Sequence, residues 1–181
     1  MNSLAQTISF SEGSNKVGGS SFESFLSYHP EMMCTLGNLL VSFKDGDLYT
    51  HDSTTYNNFY GVQYDSYIQF TFNSFPLQRK SYQSVEEVAS VCWSCPEIQT
   101  SLMSYGTTPQ QSNLVAGDFE LLEGGWNASF LCDVNSDGGL INGDSLKGFY
   151  MTIKFLASNP TDLITLALCS IYFINSPLNQ N

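Results

Sequence analysis

Apolar and polar residues alternate one by one along much of this chain, the two-residue period of a half-buried strand. Leu39, Val41 and Phe43 alternate with Leu40, Ser42 and Lys44, then Asp45-Gly46 leads into Asp47, Leu48, Tyr49 and Thr50. Asp-Gly between two β-prone runs predicts a tight hairpin, because its turn needs φ > 0 and Gly supplies it without a Cβ clash. Val62, Tyr64, Ile68, Phe70 and Phe72 share one parity, with Gln63, Asp65, Gln69 and Thr71 on the other, which predicts a strand over residues 62–73. A second hairpin is expected over residues 115–134: a strand over 115–123, a Gly124-Gly125 turn, then Trp126, Ala128, Phe130 and Cys132 alternating with polar neighbours. Phe149, Met151, Ile153 and Phe155 alternate with Tyr150, Thr152 and Lys154.

Two segments break the rule. Residues 163–174 are apolar on both parities, as expected of a central strand covered on both faces. Residues 84–93 are ambiguous. Val85, Val88, Ala89 and Cys92 have helical spacing, and Ser84 with Glu87 makes a capping-box pattern. The surrounding β pattern decides for a strand. Pro96, residues 106–112 and residues 135–146 are expected in loops. The sum is eight or so strands and little helix: an all-β fold, either an antiparallel β-sandwich or a β-rich module built of hairpins.

Residues 1–24 are rich in Ser, Gly and Asn, with a weak strand around Ile8 and Phe10. This segment cannot bury itself and is expected to be an extended arm stabilised by a partner. Residues 25–176 are expected to form a single β-rich domain, and 177–181 a C-terminal tail.

Composition narrows the function classes. Charged residues make up 13% of the 181 and aromatics 14%, with a net charge of −11. The charged fraction is about half that of an average domain, while the aromatic content rules out a disordered composition. A basic stripe, which nucleic-acid binding requires, is missing, so direct nucleic-acid binding is not expected. The acidic balance disfavours anionic lipid, and the longest apolar run is too short for membrane insertion. The five cysteines fit a reduced protein made in a cytoplasm.

Candidate chemistry is sparse. Asp133, Asn135, Asp137 and Asp144 occupy the first, third, fifth and twelfth positions of a calcium-loop pattern, with Gly138 at the sixth. Two features weigh against calcium: Asp rather than Glu at the twelfth position, and flanks that read as strands. The other reading is an acidic surface loop. No other cofactor is implied. Cys92-Trp93-Ser94-Cys95 supplies two thiols where structural zinc needs four ligands. Glu86 and Glu87 point to opposite faces of a strand and cannot flank one glycosidic bond. The only histidines, His29 and His51, lie with Tyr28, Asn57, Asn58, Phe59, Tyr60 and Gly61 around the first hairpin. This cluster reads as an active site, a binding surface, or loop packing. With no nucleophile or phosphate loop to join it, packing is preferred: Asp45 and Gly46 set the register, and His29, His51 and Tyr60 lock the neighbouring loops.

A string of short motifs carries a family resemblance. It runs Tyr28-His29-Pro30, Leu36-Gly37-Asn38, Phe43-Lys44-Asp45-Gly46-Asp47-Leu48-Tyr49-Thr50-His51 and Asn57-Asn58-Phe59-Tyr60-Gly61, then Asn73-Ser74-Phe75-Pro76 and Lys80-Ser81-Tyr82-Gln83-Ser84-Val85. It continues through Trp93, Asp118-Phe119-Glu120, Glu123-Gly124-Gly125-Trp126-Asn127-Ala128 and Gly143-Asp144-Ser145-Leu146-Lys147-Gly148. Over roughly residues 25–156 the chain resembles the C-terminal part of large structural proteins of tailed bacteriophages, most like the muzzle-type tail proteins of crAss-like phages. Family members are much longer chains, so this one is expected to stand alone or to be a product of a split polypeptide.

The resemblance implies a non-enzymatic structural subunit of the virion tail, made in the bacterial host cytoplasm. Its partners would be other phage tail proteins and copies of itself, and no catalytic residue is implied. The alternative is a β-sandwich module that binds host-surface glycan through Tyr, Trp126 and Asn, with calcium in the Asp133 loop. A cell-wall hydrolase using His29 or His51 ranks third, and would need one of them beside an acid or nucleophile in a cleft.

Overall fold

A computed structural model describes residues 7–11, 21–26, 28–51, 53–158 and 160–176. The fold is all-β and antiparallel with almost no helix, and its contacts divide the chain into residues 1–64 and 65–181. Among the described residues no helix is long and apolar enough to cross a membrane.

The first unit is made of small sheets. Strand β1 (Thr7–Ser11) pairs with β2 (Ser21–Leu26), and Phe10 meets Phe22 edge-to-face at 5.0 Å. The described part of the expected arm is thus a two-stranded ribbon. A three-stranded meander follows, of β3 (Met32–Leu36), β4 (Leu39–Lys44) and β5 (Asp47–Thr50). The Asp45-Gly46 hairpin is present as expected. Both residues have positive φ, 52° and 89°, which matches the right-handed twist of the flanking strands. Short strands β6 (Asn58–Phe59) and β7 (Val62–Gln63) close the unit.

The second unit is a sandwich. One sheet has the order β11-β10-β15-β8, formed by β8 (Ser66–Phe72), β10 (Ser94–Ser104), β11 (Thr108–Leu114) and β15 (Met151–Ala157). The other is built on β9 (Lys80–Ala89). One edge of β9 carries β13 (Gly125–Ser129), itself paired with β12 (Glu120–Leu122), and then β14 (Lys147–Gly148). Its other edge carries β16 (Leu166–Asn175) along its whole length. Met151, Ile153 and Phe155 are wholly buried, and they meet Val85, Ala128 and Ile171 in one core. Each such buried side chain contributes on the order of 2 kcal/mol.

Several sequence expectations are corrected. Of residues 84–93, expected as strand, 84–89 are strand and not helix, since Ser84 pairs with Tyr172 and Glu87 with Cys169, whereas 90–93 lie in the bend between β9 and β10. Pro96 lies inside β10 rather than in a loop. It sits where the register shifts against both neighbours, the bulge position that tolerates a missing N–H. Residues 108–112 are strand rather than loop, because the inward positions of β11 include Gln110 and Ser112, which leave no apolar signature. The expected strand over 62–73 breaks at Tyr64–Asp65. The second hairpin is shorter than expected and turns at Glu123-Gly124, both of positive φ, rather than at Gly124-Gly125. Residues 135–146 include one helical turn, α1 (Gly139–Asn142).

The largest correction concerns β16. It is not a central strand covered on both faces. Among the described residues it pairs only with β9, and Leu168, Tyr172 and Ile174 on its outer face are 53%, 50% and 60% exposed.

Candidate functional site

The hairpin register builds the most chemically distinctive site of the chain. Asp45-Gly46 sets Ser42 opposite Tyr49, and the His51 N–H donates to the Leu40 carbonyl at 3.1 Å. Positions 40 and 42 of one strand and 49 and 51 of the next therefore share a face. A register slip of one residue would turn one strand's pair to the other side and part Ser42 from His51.

On that face the Ser42 hydroxyl is wholly buried, 2.6 Å from His51 Nε2 and 2.8 Å from the Tyr60 hydroxyl. Ser42 has one proton and two lone pairs, so it donates to at most one of these neighbours and accepts from the other. Burial lowers the His51 pKa and favours the neutral ring. Tyr28, 5% exposed, stacks on Phe59 at 4.4 Å and meets the His51 ring at a tilt, 5.2 Å between centroids. Burial, and the nearby Tyr60, raise its hydroxyl pKa. Tyr60 meets Tyr49 edge-on at 4.7 Å. The sequence cluster of Tyr28, His51, Phe59 and Tyr60 is thus one packed body around Ser42. His29 is exposed and takes no part in it.

A serine hydrogen-bonded to a histidine is the beginning of a nucleophilic site, and it needs an accessible oxygen and an oxyanion pocket. Ser42 is sealed beneath the rings, so a substrate carbonyl cannot reach it in this arrangement. Its geometry is that of a relay joining β4, the end of β5 and the loop carrying Tyr60. Beside it opens a cavity of about 310 Å³, walled by residues between Tyr49 and Gly61.

The other sequence candidates are dispersed or turned inward. Asp133 is buried, and its Oδ1 accepts the N–H groups of Gln111 (3.0 Å) and Asn135 (3.1 Å). Asn135, Asp137 and Asp144 are exposed. Among the described residues no three His, Cys, Asp or Glu side chains are grouped to hold a metal ion. In this arrangement the carboxylate heading the calcium-loop pattern braces its own turn, and Ser136 ties the loop by donating to the Asp133 carbonyl at 2.7 Å. Trp126 is partly buried and packs against the core, away from a glycan-reading role.

Glu87 and Glu86 do face opposite ways. Glu86 accepts the Tyr172 hydroxyl at 2.5 Å, whereas Glu87 is wholly buried and accepts the Trp93 N–H at 2.6 Å. Burial raises its pKa, and burial, with the nearby Glu87 charge adding to it, raises the thiols of Cys92 to about 12 and Cys169 to about 11. The thiols of the C-x-x-C are free, Cys95 buried in β10 and Cys92 just before it.

Sequence reading missed Lys80. This lysine is fully buried, and its ammonium donates to the carbonyls of Phe75 (3.2 Å), Gln78 (3.1 Å) and Phe149. Three donors meet three acceptors, so it knots the β8–β9 connection to the entry of β15. Its only sequence trace is a charge in a strand position.

No curated protein matches the chain. Residues 54–131, which run from the cavity loop through β13, match the family described as the Crassvirus muzzle protein C-terminal domain, so the chain is similar over that stretch to the family its motifs resemble.

Proposed function

We propose that this chain is a non-enzymatic structural subunit of a tailed-phage virion, part of a muzzle-like tail assembly. The observation that carries the reading is the match of residues 54–131 to the Crassvirus muzzle protein C-terminal domain. Two surfaces support it physically. The edge of β16 that pairs with no other described strand joins an outer face bearing Leu168, Tyr172 and Ile174, and a long apolar edge strand is a template for pairing with another chain. The β1–β2 ribbon carries Phe22 and Phe25 at 72% and 69% exposure, and an isolated two-stranded ribbon is marginally stable in water. Copies of this chain and other tail proteins would cover these surfaces in the particle.

Light scattering on the purified full chain tests the reading. The expected result is assembly above the monomer mass, reduced by the double substitution Leu168→Lys, Ile174→Lys, with the far-ultraviolet signature of strand unchanged. A monomer at every concentration, alone and mixed with tail proteins, would count against it.

A further inference from the structure

The cavity beside the Ser42–His51–Tyr60 relay has the chemistry of a ligand site, and we propose that it binds a neutral sugar ring. This inference does not rest on the tail-subunit reading.

Three observations carry it. The first is the charge of the wall. The described residues lining the cavity are tyrosine, phenylalanine, asparagine, serine, threonine, glycine and His51, with no Lys, Arg, Asp or Glu among them. Among the described residues, then, the wall offers hydroxyl and amide hydrogen bonds and carries no counter-charge for an anion or a cation. Burial lowers the His51 pKa, which favours the neutral ring near pH 7.

The second is one unused aromatic face. Phe59 is stacked on Tyr28, and Tyr49 and Tyr60 are packed edge-on against each other. Tyr56 also lines the cavity and is 45% exposed, and among the described residues its ring meets no other. A pyranose presents a flat face of C–H groups ringed by hydroxyls. That face lies on an exposed aromatic ring, while the hydroxyls reach amide and hydroxyl side chains around it.

The third is preorganisation. The loop is held in backbone conformations that non-glycine residues rarely adopt, with φ of 55° at Asn57 and 54° at Tyr60. It is braced by Gln63 Nε2 donating to the Tyr56 carbonyl at 2.8 Å, Asn58 Nδ2 donating to Gln63 Oε1 at 3.2 Å, and the Tyr64 N–H donating to the Asn57 carbonyl at 2.8 Å. Strain held in place by surrounding bonds is typical of ligand sites. A cavity of about 310 Å³ lies at the small end of ligand pockets, the scale of one or two sugar rings.

The test is an array of immobilised neutral, sialylated and phosphorylated glycans, probed with the full-length chain, its Tyr56→Ala and Tyr56→Phe variants, and Phe75→Ala as a control in the second unit. The expected result is a response to neutral glycans that persists at high salt. Tyr56→Ala should weaken it about tenfold or more, while Tyr56→Phe and Phe75→Ala retain it. No response to any neutral glycan, a response to charged glycans alone, or a response untouched by Tyr56→Ala would overturn the proposal. Because Tyr56 is exposed, its replacement leaves the fold intact, which thermal melting of the same samples verifies. Assembly of the chain in the preceding experiment has no bearing on these outcomes.

Discussion

The Ser42 hydroxyl lies 2.6 Å from His51 Nε2 and is completely shielded from water. That one contact ties the middle of β4 to the residue after β5, and through the Tyr60 hydroxyl to the cavity loop. Ser42→Ala removes the shared partner of both groups. It is expected to destabilise the first unit by about 1–3 kcal/mol, because a buried polar group left unpaired loses its hydration without compensation. Urea unfolding followed by tyrosine near-ultraviolet circular dichroism measures this. An unchanged midpoint would show that the relay contributes nothing.

The same ring sets a pH response. Burial depresses the folded pKa of His51 below the ordinary histidine value of about 6.5. The unfolded chain therefore takes up the proton first as pH falls, and the stability of the neutral ring is present above the unfolded pKa and lost as pH falls through the folded one. The difference in stability between the wild type and His51→Gln should change over that acidic window and be level above it. A difference that stays constant down to the folded pKa would contradict the buried, neutral ring.

Glu87 gives the opposite slope. Burial raises its folded pKa, the Trp93 N–H offsets part of that rise, and Oε2 has no hydrogen-bond partner among the described residues. The unfolded carboxyl ionises first as pH rises, so stability declines from the unfolded pKa up through the folded one. Glu87→Gln should remove this decline while keeping an acceptor for the Trp93 N–H. Parallel pH–stability curves for the two proteins would contradict it.

Gly46 has φ of 89°, in the left-handed region, with open space around its missing Cβ. Gly46→Ala should therefore cost about 1–2 kcal/mol from backbone conformation alone, and Gly46→Val more. Thermal melts of the two variants would separate this from steric crowding, which predicts no loss for Ala.

The hairpin was legible because Asp45-Gly46 and the flanking β-prone runs state turn type and register together. The cluster around it was legible as a concentration of rings and amides between Tyr28 and Gly61. Its centre was not, because Ser42 reads as an ordinary polar position on an alternating strand and gains meaning only when the register brings His51 across from Leu40. In the second unit, Met151, Ile153 and Phe155 declared their inward face directly. β11 was hidden because Gln110 and Ser112 take inward places, with Gln110 Oε1 accepting the Lys147 N–H at 2.8 Å and Ser112 donating to the Leu131 carbonyl at 3.1 Å. The double-sided apolar run of β16 does not fix its place, because apolarity on both faces suits a covered central strand and an exposed edge strand alike. The Asp133 pattern shows a related ambiguity, since the spacing that suits calcium also suits a carboxylate capping the N–H groups of its own turn.

The cysteines offer a further check. Cys34 is exposed, Cys95 is buried, and the thiol pKa values of Cys92 and Cys169 are raised to about 12 and about 11. Because the thiolate is the reactive form, iodoacetamide at neutral pH should label Cys34 first and Cys95 only after unfolding. Peptide mass spectrometry reads the order, and early labelling of Cys95 would contradict the packing of the C-x-x-C.

The most direct measurement of the structural role is a cryo-electron microscopy map of intact phage particles in which this chain is encoded. The account predicts density for the chain in the tail, with the free edge of β16 and the face of Leu168, Tyr172 and Ile174 covered by a neighbouring protein. Particles without the chain, or a chain in the tail whose β16 edge and outer face both look into solvent, would contradict it.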